Sequence, residues 1–213
     1  MNTRSRFATA AVFGALFLIW IVLLKTVDVA AVGPEGTSVG FSHLNVWFHS
    51  LTGVNLTWYQ ITNVLGYLSI ATVLVFALTG LVQWIGRKSI AEVDGDLLRL
   101  GGLCVALGTL YAAFEKIIIN YRPIILPDEP TVEASFPSSH TLLVCAIFGC
   151  LLIVAQKRVK NTALRRVLVG FCAAAVVLGV VGRLLSGVHW LTDIIGSLLL
   201  SAALLALFAA TEK

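Results

Sequence analysis

Charge is scarce in this 213-residue chain: Asp, Glu, Lys and Arg together make up 12% of it, against 58% hydrophobic residues. A soluble domain carries about a quarter charged residues, so the scarcity excludes one. The mean hydropathy of +0.94 places the chain in a membrane. Cysteine is equally sparse. Cys104, Cys145, Cys150 and Cys172 all fall inside apolar segments, with no CxxC or CxxH spacing. That pattern excludes a disulfide scaffold and a thiolate metal site and leaves small core residues. The formal charge of +4 raises nucleic acid as a partner, and the most basic run is Lys157-Arg158-Val159-Lys160 up to Arg165-Arg166. The basic residues lie in short loops between apolar runs, as membrane orientation signals do, so nucleic acid is excluded. No repeat of solenoid period is present. The chain reads as one domain over 1–213, an all-α polytopic membrane bundle.

What is present is six apolar runs, each near the roughly 20 residues a bilayer requires: 7–24, 58–84, 97–120, 137–155, 167–185 and 190–210. The first follows a basic start containing Arg4 and Arg6. It is longer than the about 7–15 apolar residues of a signal peptide and reads as a retained span. Between the first two runs, 33–53 lacks Lys and Arg, and Phe41, Leu44, Phe48 and Leu51 recur at helical spacing. This predicts a short interfacial helix in the first outer loop, with His43 and His49 at the interface. One side of the bundle receives Arg4, Arg6, Arg87, Lys88, Arg99, Lys157, Arg158, Lys160, Arg165, Arg166 and Lys213. The other receives Arg122, Arg183 and the helix-end Lys25 and Lys116. The imbalance predicts cytoplasmic termini in the cell membrane and puts Arg122, Pro137 and the 183–189 junction together on the outer face.

Three polar clusters meet there. In 182–193, Arg183, His189 and Asp193 interrupt strongly apolar sequence, and charge at such depth requires a cause. With a helix starting at Trp190, the spacing of four puts Asp193 where it can hold the His189 imidazole. The second ring nitrogen is then free to act as nucleophile or base. Arg183 adds a planar fork suited to a tetrahedral oxyanion. In the second cluster, Pro137-Ser138-Ser139-His140, proline opens an apolar helix and exposes N–H groups and hydroxyls at its positive end. His140 follows one turn in, where it can protonate a leaving oxygen; taken alone, the fragment reads first as a serine helix cap with a histidine near the interface. The third cluster, Lys116 with Arg122-Pro123, taken alone reads as snorkelling cations at a helix end.

Taken together, Arg122-Pro123, Pro137-Ser138-Ser139-His140 and Arg183-x5-His189-x3-Asp193 resemble the three-part signature of the type 2 phosphatidic acid phosphatases, the lipid phosphate phosphatases related to vanadium haloperoxidases. The resemblance implies a helical bundle with its active site at the outer end. It also implies that His189 attacks phosphorus, Asp193 orients it and His140 protonates the leaving oxygen. Arg122, Arg183, Ser138, Ser139 and Lys116 would hold the phosphoryl oxygens, with no metal or cofactor. Three departures stand out. Ser139 replaces the family's glycine, Gly182 its serine, and Glu115 occupies the lysine position, with Lys116 one place later. A shift of one residue turns a helical side chain by about 100°, which leaves two alternatives: Lys116 reaches the phosphate by its long stem, or Glu115 faces the site and pairs with Arg122 or Arg183. The expected partner is the phosphate or diphosphate of a membrane lipid: a polyprenyl diphosphate, phosphatidic acid or phosphatidylglycerol phosphate. The competing reading is a non-catalytic carrier of an anionic lipid.

Overall fold

The computed structural model describes residues 2–127 and 129–211; Lys213, counted above among the basic residues of one side, lies outside them. Among the described residues there are seven α-helices: α1 Thr3–Thr26, α2 Ser42–Thr52, α3 Leu56–Arg87, α4 Gly95–Lys116, α5 Ser139–Arg158, α6 Thr162–Ser186 and α7 Leu191–Ala210. All except α2 are long and apolar enough to cross a bilayer. Much of their apolar surface is exposed, including Val82, Val105 and Val167 at 67–71%. In a bilayer that surface faces lipid, and the buried helix faces carry the packing.

α5 is the central helix, packed against α3, α6 and α7, while α1 lies along α7. Small residues set these distances. A Cβ on Gly179 of α6 would come within 2.7 Å of Val144 on α5, and one on Gly182 would meet Thr62 of α3 at 2.7 Å and Trp58 at 3.2 Å. The serine that the resemblance puts at position 182 would therefore crowd the side chains of α3. Phe17, Phe114 and Phe136 form a ring cluster beneath the site, Phe17 stacked on Phe136 at 5.8 Å and Phe114 edge-on.

The expected spans hold, with two differences that matter for the site. The third was read as helical to Asn120, but α4 ends at Lys116. Residues 120–122 then leave the helix to pair with the segment before α5, through Ser135 N–H to Asn120 O at 2.9 Å and Arg122 N–H to Glu133 O at 3.0 Å. Helical periodicity does not register such a strap, because its backbone bonds are non-local. The sixth helix begins at Leu191, so His189 precedes it rather than occupying its first turn.

The interfacial helix is present as α2. It buries its polar side, with Ser42 and Asn45 inside, and exposes Leu44, Trp47 and Leu51. Asn45 explains the inversion: its Nδ2 donates to Thr192 Oγ1 at 2.9 Å and to Gly40 O at 2.8 Å, tying α2 to the start of α7.

The two ends of the bundle differ. At the end bearing both described termini, Asp96 pairs with Arg99 and Arg158, and Arg87 with Asp94. Arg6 of α1 reaches Ala209 O at the end of α7. The opposite end collects the 120–138 strap, the α6–α7 turn and the first turns of α3, α5 and α7.

Candidate active site

The α6–α7 turn positions the principal histidine. Helix α6 closes at Gly187, which has φ +66°. A Cβ there would also collide with the Gly53 carbonyl, so both conformation and space demand glycine. His49 donates from Nε2 to the Gly187 carbonyl at 3.0 Å. Trp190 donates from its indole to Tyr121 O at 2.8 Å. His189, held between these anchors, is 4% exposed.

The His189–Asp193 pair is not a direct hydrogen bond. Nδ1 of His189 lies 3.9 Å from Asp193 Oδ2. The hydroxyl of Ser135 sits between them, 2.9 Å from His189 Nδ1 and 2.6 Å from Asp193 Oδ2. Because His189 precedes α7, the helix-face geometry behind the expected contact does not apply. Asp193 is held in place by three donors: Ser135 Oγ, Asn120 Nδ2 at 3.1 Å and the Trp190 N–H at 3.0 Å. The last also caps the first turn of α7.

Arg122 lies across the other face of the ring. Its Nη1 is 3.3 Å from His189 Nε2 and 3.3 Å from Val188 O. With Nδ1 donating to Ser135, Nε2 is the acceptor in that contact. Glu133 approaches Arg122 Nε to 2.9 Å, but its direction is poor for a hydrogen bond, so the two form an ion pair. The carboxylate beside Arg122 is therefore Glu133. Glu115 is exposed, within reach of the Tyr111 hydroxyl one turn earlier.

Arg183 is fully buried. Its Nη2 donates to Asn63 Oδ1 at 3.0 Å, and its guanidinium lies over the Tyr59 ring, 4.9 Å from the centroid. Nε and Nη1 have no hydrogen-bond partner among the described residues. Buried donors of a charged group are rarely left unmade. Their pairing here is incomplete in the way an anion site requires.

His140, in the first turn of α5, rests against α3. A Cβ on Gly66 would come within 2.8 Å of its Cδ2, so glycine makes the space for the ring. The buried Nδ1 of His140 has no hydrogen-bond partner among the described residues. Ser138 is the N-cap of α5, fully buried. Its Oγ lies 3.0 Å from Thr141 Oγ1 and 3.5 Å from the Thr141 N–H, and its carbonyl accepts from Ser197. Ser139 follows, half-buried. Lys116 is exposed at the end of α4; the lysine that engages this region is Lys25, whose Nζ donates to Ile118 O and Ile119 O.

Burial holds the His189 imidazole well below the ordinary histidine range, with the charges of Arg122 and Arg183 and the nearby His140 acting in the same direction. The ring is thus neutral near pH 7, with its Nε2 lone pair available. Arg122, Arg183, His140, His189 and Asp193 come from the strap, α6, α5, the α6–α7 turn and α7; Arg122, Arg183 and His140 act on His189, and Arg122 acts on Asp193. Ser138 and Ser139 stand at the edge of this group and Lys116 outside its hydrogen-bond network. Sequence reasoning missed Tyr59, Asn63, Gly66, Asn120, Glu133 and Ser135. Asn63 was the most legible of these, being an amide within an apolar span.

The PAP2 superfamily model matches residues 101–212, more than half of the chain, and the protein belongs to that family. A comparison with curated protein sequences finds no match. Among solved structures, the chain is similar to the crystal structure of a transmembrane PAP2-type phosphatidylglycerolphosphate phosphatase from Bacillus subtilis. The two are 18% identical with a TM-score of 0.63, over 95% of this chain and 94% of that one. At that identity the likeness shows the fold: an integral membrane protein built as a PAP2 bundle.

Proposed function

We propose that this protein is a membrane lipid phosphatase that releases phosphate from a lipid phosphomonoester or diphosphate through a phosphohistidine. The observation that carries the reading is Arg183, wholly buried with two donors that have no hydrogen-bond partner among the described residues, its charge acting on a neutral His189. Arg122 and Arg183 hold the phosphoryl oxygens, supported by the first N–H groups of α5 and by Ser138 and Ser139. Nε2 of His189 attacks phosphorus. As the N–P bond forms, the P–O bond to the lipid breaks, and His140 gives its proton to the departing oxygen. A water molecule, deprotonated by His140, then attacks phosphorus, releases inorganic phosphate and restores His189. Removing one such preorganised donor from a charge-developing site costs about 10²–10³ in rate.

The basic end of the bundle carries the orientation signal, so we assign it to the cytoplasm of the cell membrane and the site to the outer face. There a polyprenyl diphosphate, phosphatidic acid or phosphatidylglycerol phosphate is within reach, and the solved neighbour is a phosphatase of the last. Phosphate release in detergent from a panel of these three lipids, with EDTA present, tests the reading. Release that survives chelation and is lost in His189→Ala is expected. No release from any of the three would instead favour a carrier of anionic lipid.

A further inference from the structure

The hydroxyl of Ser135 occupies the position where an orienting carboxylate would touch the histidine directly. Its single proton is directed to Asp193 Oδ2, since that carboxylate can only accept and the contact is 2.6 Å. The contact with His189 Nδ1 at 2.9 Å must then run the other way, from ring N–H to serine oxygen. The chain Nδ1–H···Oγ–H···Oδ2 selects one tautomer and leaves Nε2 bare toward Arg122.

Ser135 is itself positioned. Its backbone N–H donates to Asn120 O at 2.9 Å, and Asn120 donates from its side chain to the other oxygen of Asp193 at 3.1 Å. The serine is 2% exposed, so water does not compete for either bond. It lies two residues before Pro137, in the strap between α4 and α5, outside all three signature motifs.

Resting on the phosphohistidine reading, we infer that Ser135 is a positioning residue that couples Asp193 to His189, fixing the attacking tautomer and carrying the carboxylate's field to the ring. When the N–P bond forms, the ring becomes cationic. Its Nδ1–H bond to Ser135 strengthens, and the serine O–H dipole, already aligned by Asp193, stabilises the new charge. No proton changes owner along this chain during attack, and Ser135 never touches the substrate.

The test is single-turnover and steady-state kinetics of Ser135→Ala, Ser135→Thr and Ser135→Cys in detergent, beside the parent and His189→Ala. Ser135→Ala should lower kcat by about 10–100-fold, the usual cost of losing a partner that orients a functional histidine. KM should stay within about twofold, since phosphate binding is left to the arginines. Ser135→Thr, which keeps the hydroxyl, should recover most of the rate, and the phosphoenzyme burst should slow in Ser135→Ala and not in Ser135→Thr. Parent-like kcat and burst in Ser135→Ala would overturn the inference, because the backbone of residue 135 and Asp193 would then orient His189 without the hydroxyl. If Ser135→Ala is not recovered folded, Ser135→Cys carries the decision: a slowed burst supports the coupling and a parent-like burst overturns it. An inactive parent would instead strike the phosphatase reading itself.

Discussion

Arg183 at the site end and the paired arginines at the basic end of this bundle are held in opposite ways, while Arg122, paired with Glu133, stands between them. At the basic end, Asp96 is shared by Arg99 and Arg158, and Asp94 takes Arg87. Most of that charge is wet: the Arg158 side chain is 58% exposed and Arg87 43%. At the site end Arg183 is wholly buried, yet its partners are an amide oxygen and an aromatic ring, both neutral. A cation held by a carboxylate is already balanced. A buried cation held by neutral groups keeps its charge for a ligand, at a cost to the folded state. The difference separates an arginine that joins helices from one that awaits an anion.

The largest expected effect comes from removing the unbalanced charge. Arg183→Met should lower kcat/KM for lipid phosphate release by about 10²–10³. It should also raise the unfolding temperature in detergent, because a buried charge lacking an acid partner is replaced by apolar volume. A variant both inactive and less stable would show that Arg183 is structural, like the arginines of the basic end. Next in size is Asn63→Ala, which removes the amide that aims the guanidinium. We expect roughly a tenfold loss with KM rising, as befits a phosphate-holding group, and kinetics at varied substrate concentration read it directly.

A smaller effect separates the ends by pH. His189 is pushed down by burial and by two arginines, so in the ligand-free protein it stays neutral as pH falls through about 6.5, the ordinary histidine value. It gains its proton only well below that point. Histidine-labelled NMR checks this, and a His189 that titrates near about 6.5 would mean that neither burial nor the arginine charges are felt there. Smallest in activity, Asp96→Asn at the basic end should leave kcat within about twofold while costing about 1 kcal/mol of stability, since its pairs are partly exposed. Thermal unfolding alongside an activity assay separates the two.

Much of this contrast was legible in the residues. Six spans followed from apolar runs of bilayer length, Arg183, His189 and Asp193 followed from charge set in apolar sequence, and Arg122 and His140 followed from the family resemblance. What periodicity could not carry was the strap. Asn120 looked like the end of a helix, and Ser135 like one loop serine among several, because their partners lie 73 and 58 residues away at Asp193. The same blindness placed Asp193 directly on His189, since a spacing of four describes two residues of one helix and His189 stands before the helix begins. Gly182, a departure from the family pattern by sequence, is explained by the approach of Thr62 and Trp58 from α3. Of the two residues that could face the site at the end of α4, neither does: Glu115 and Lys116 are both exposed, Glu115 lies by Tyr111, and Glu133 arrives from the strap to meet Arg122.

The most direct measurement is the identity of the phosphorylated residue. Protein mixed with a lipid phosphate labelled in its phosphoryl group, and quenched in base within a single turnover, should carry one base-stable, acid-labile phosphoryl group. Peptide mapping should place it on His189, and it should be absent from His189→Asn. Rapid release of phosphate with no label on His189, or with the label on any other residue, would contradict the account.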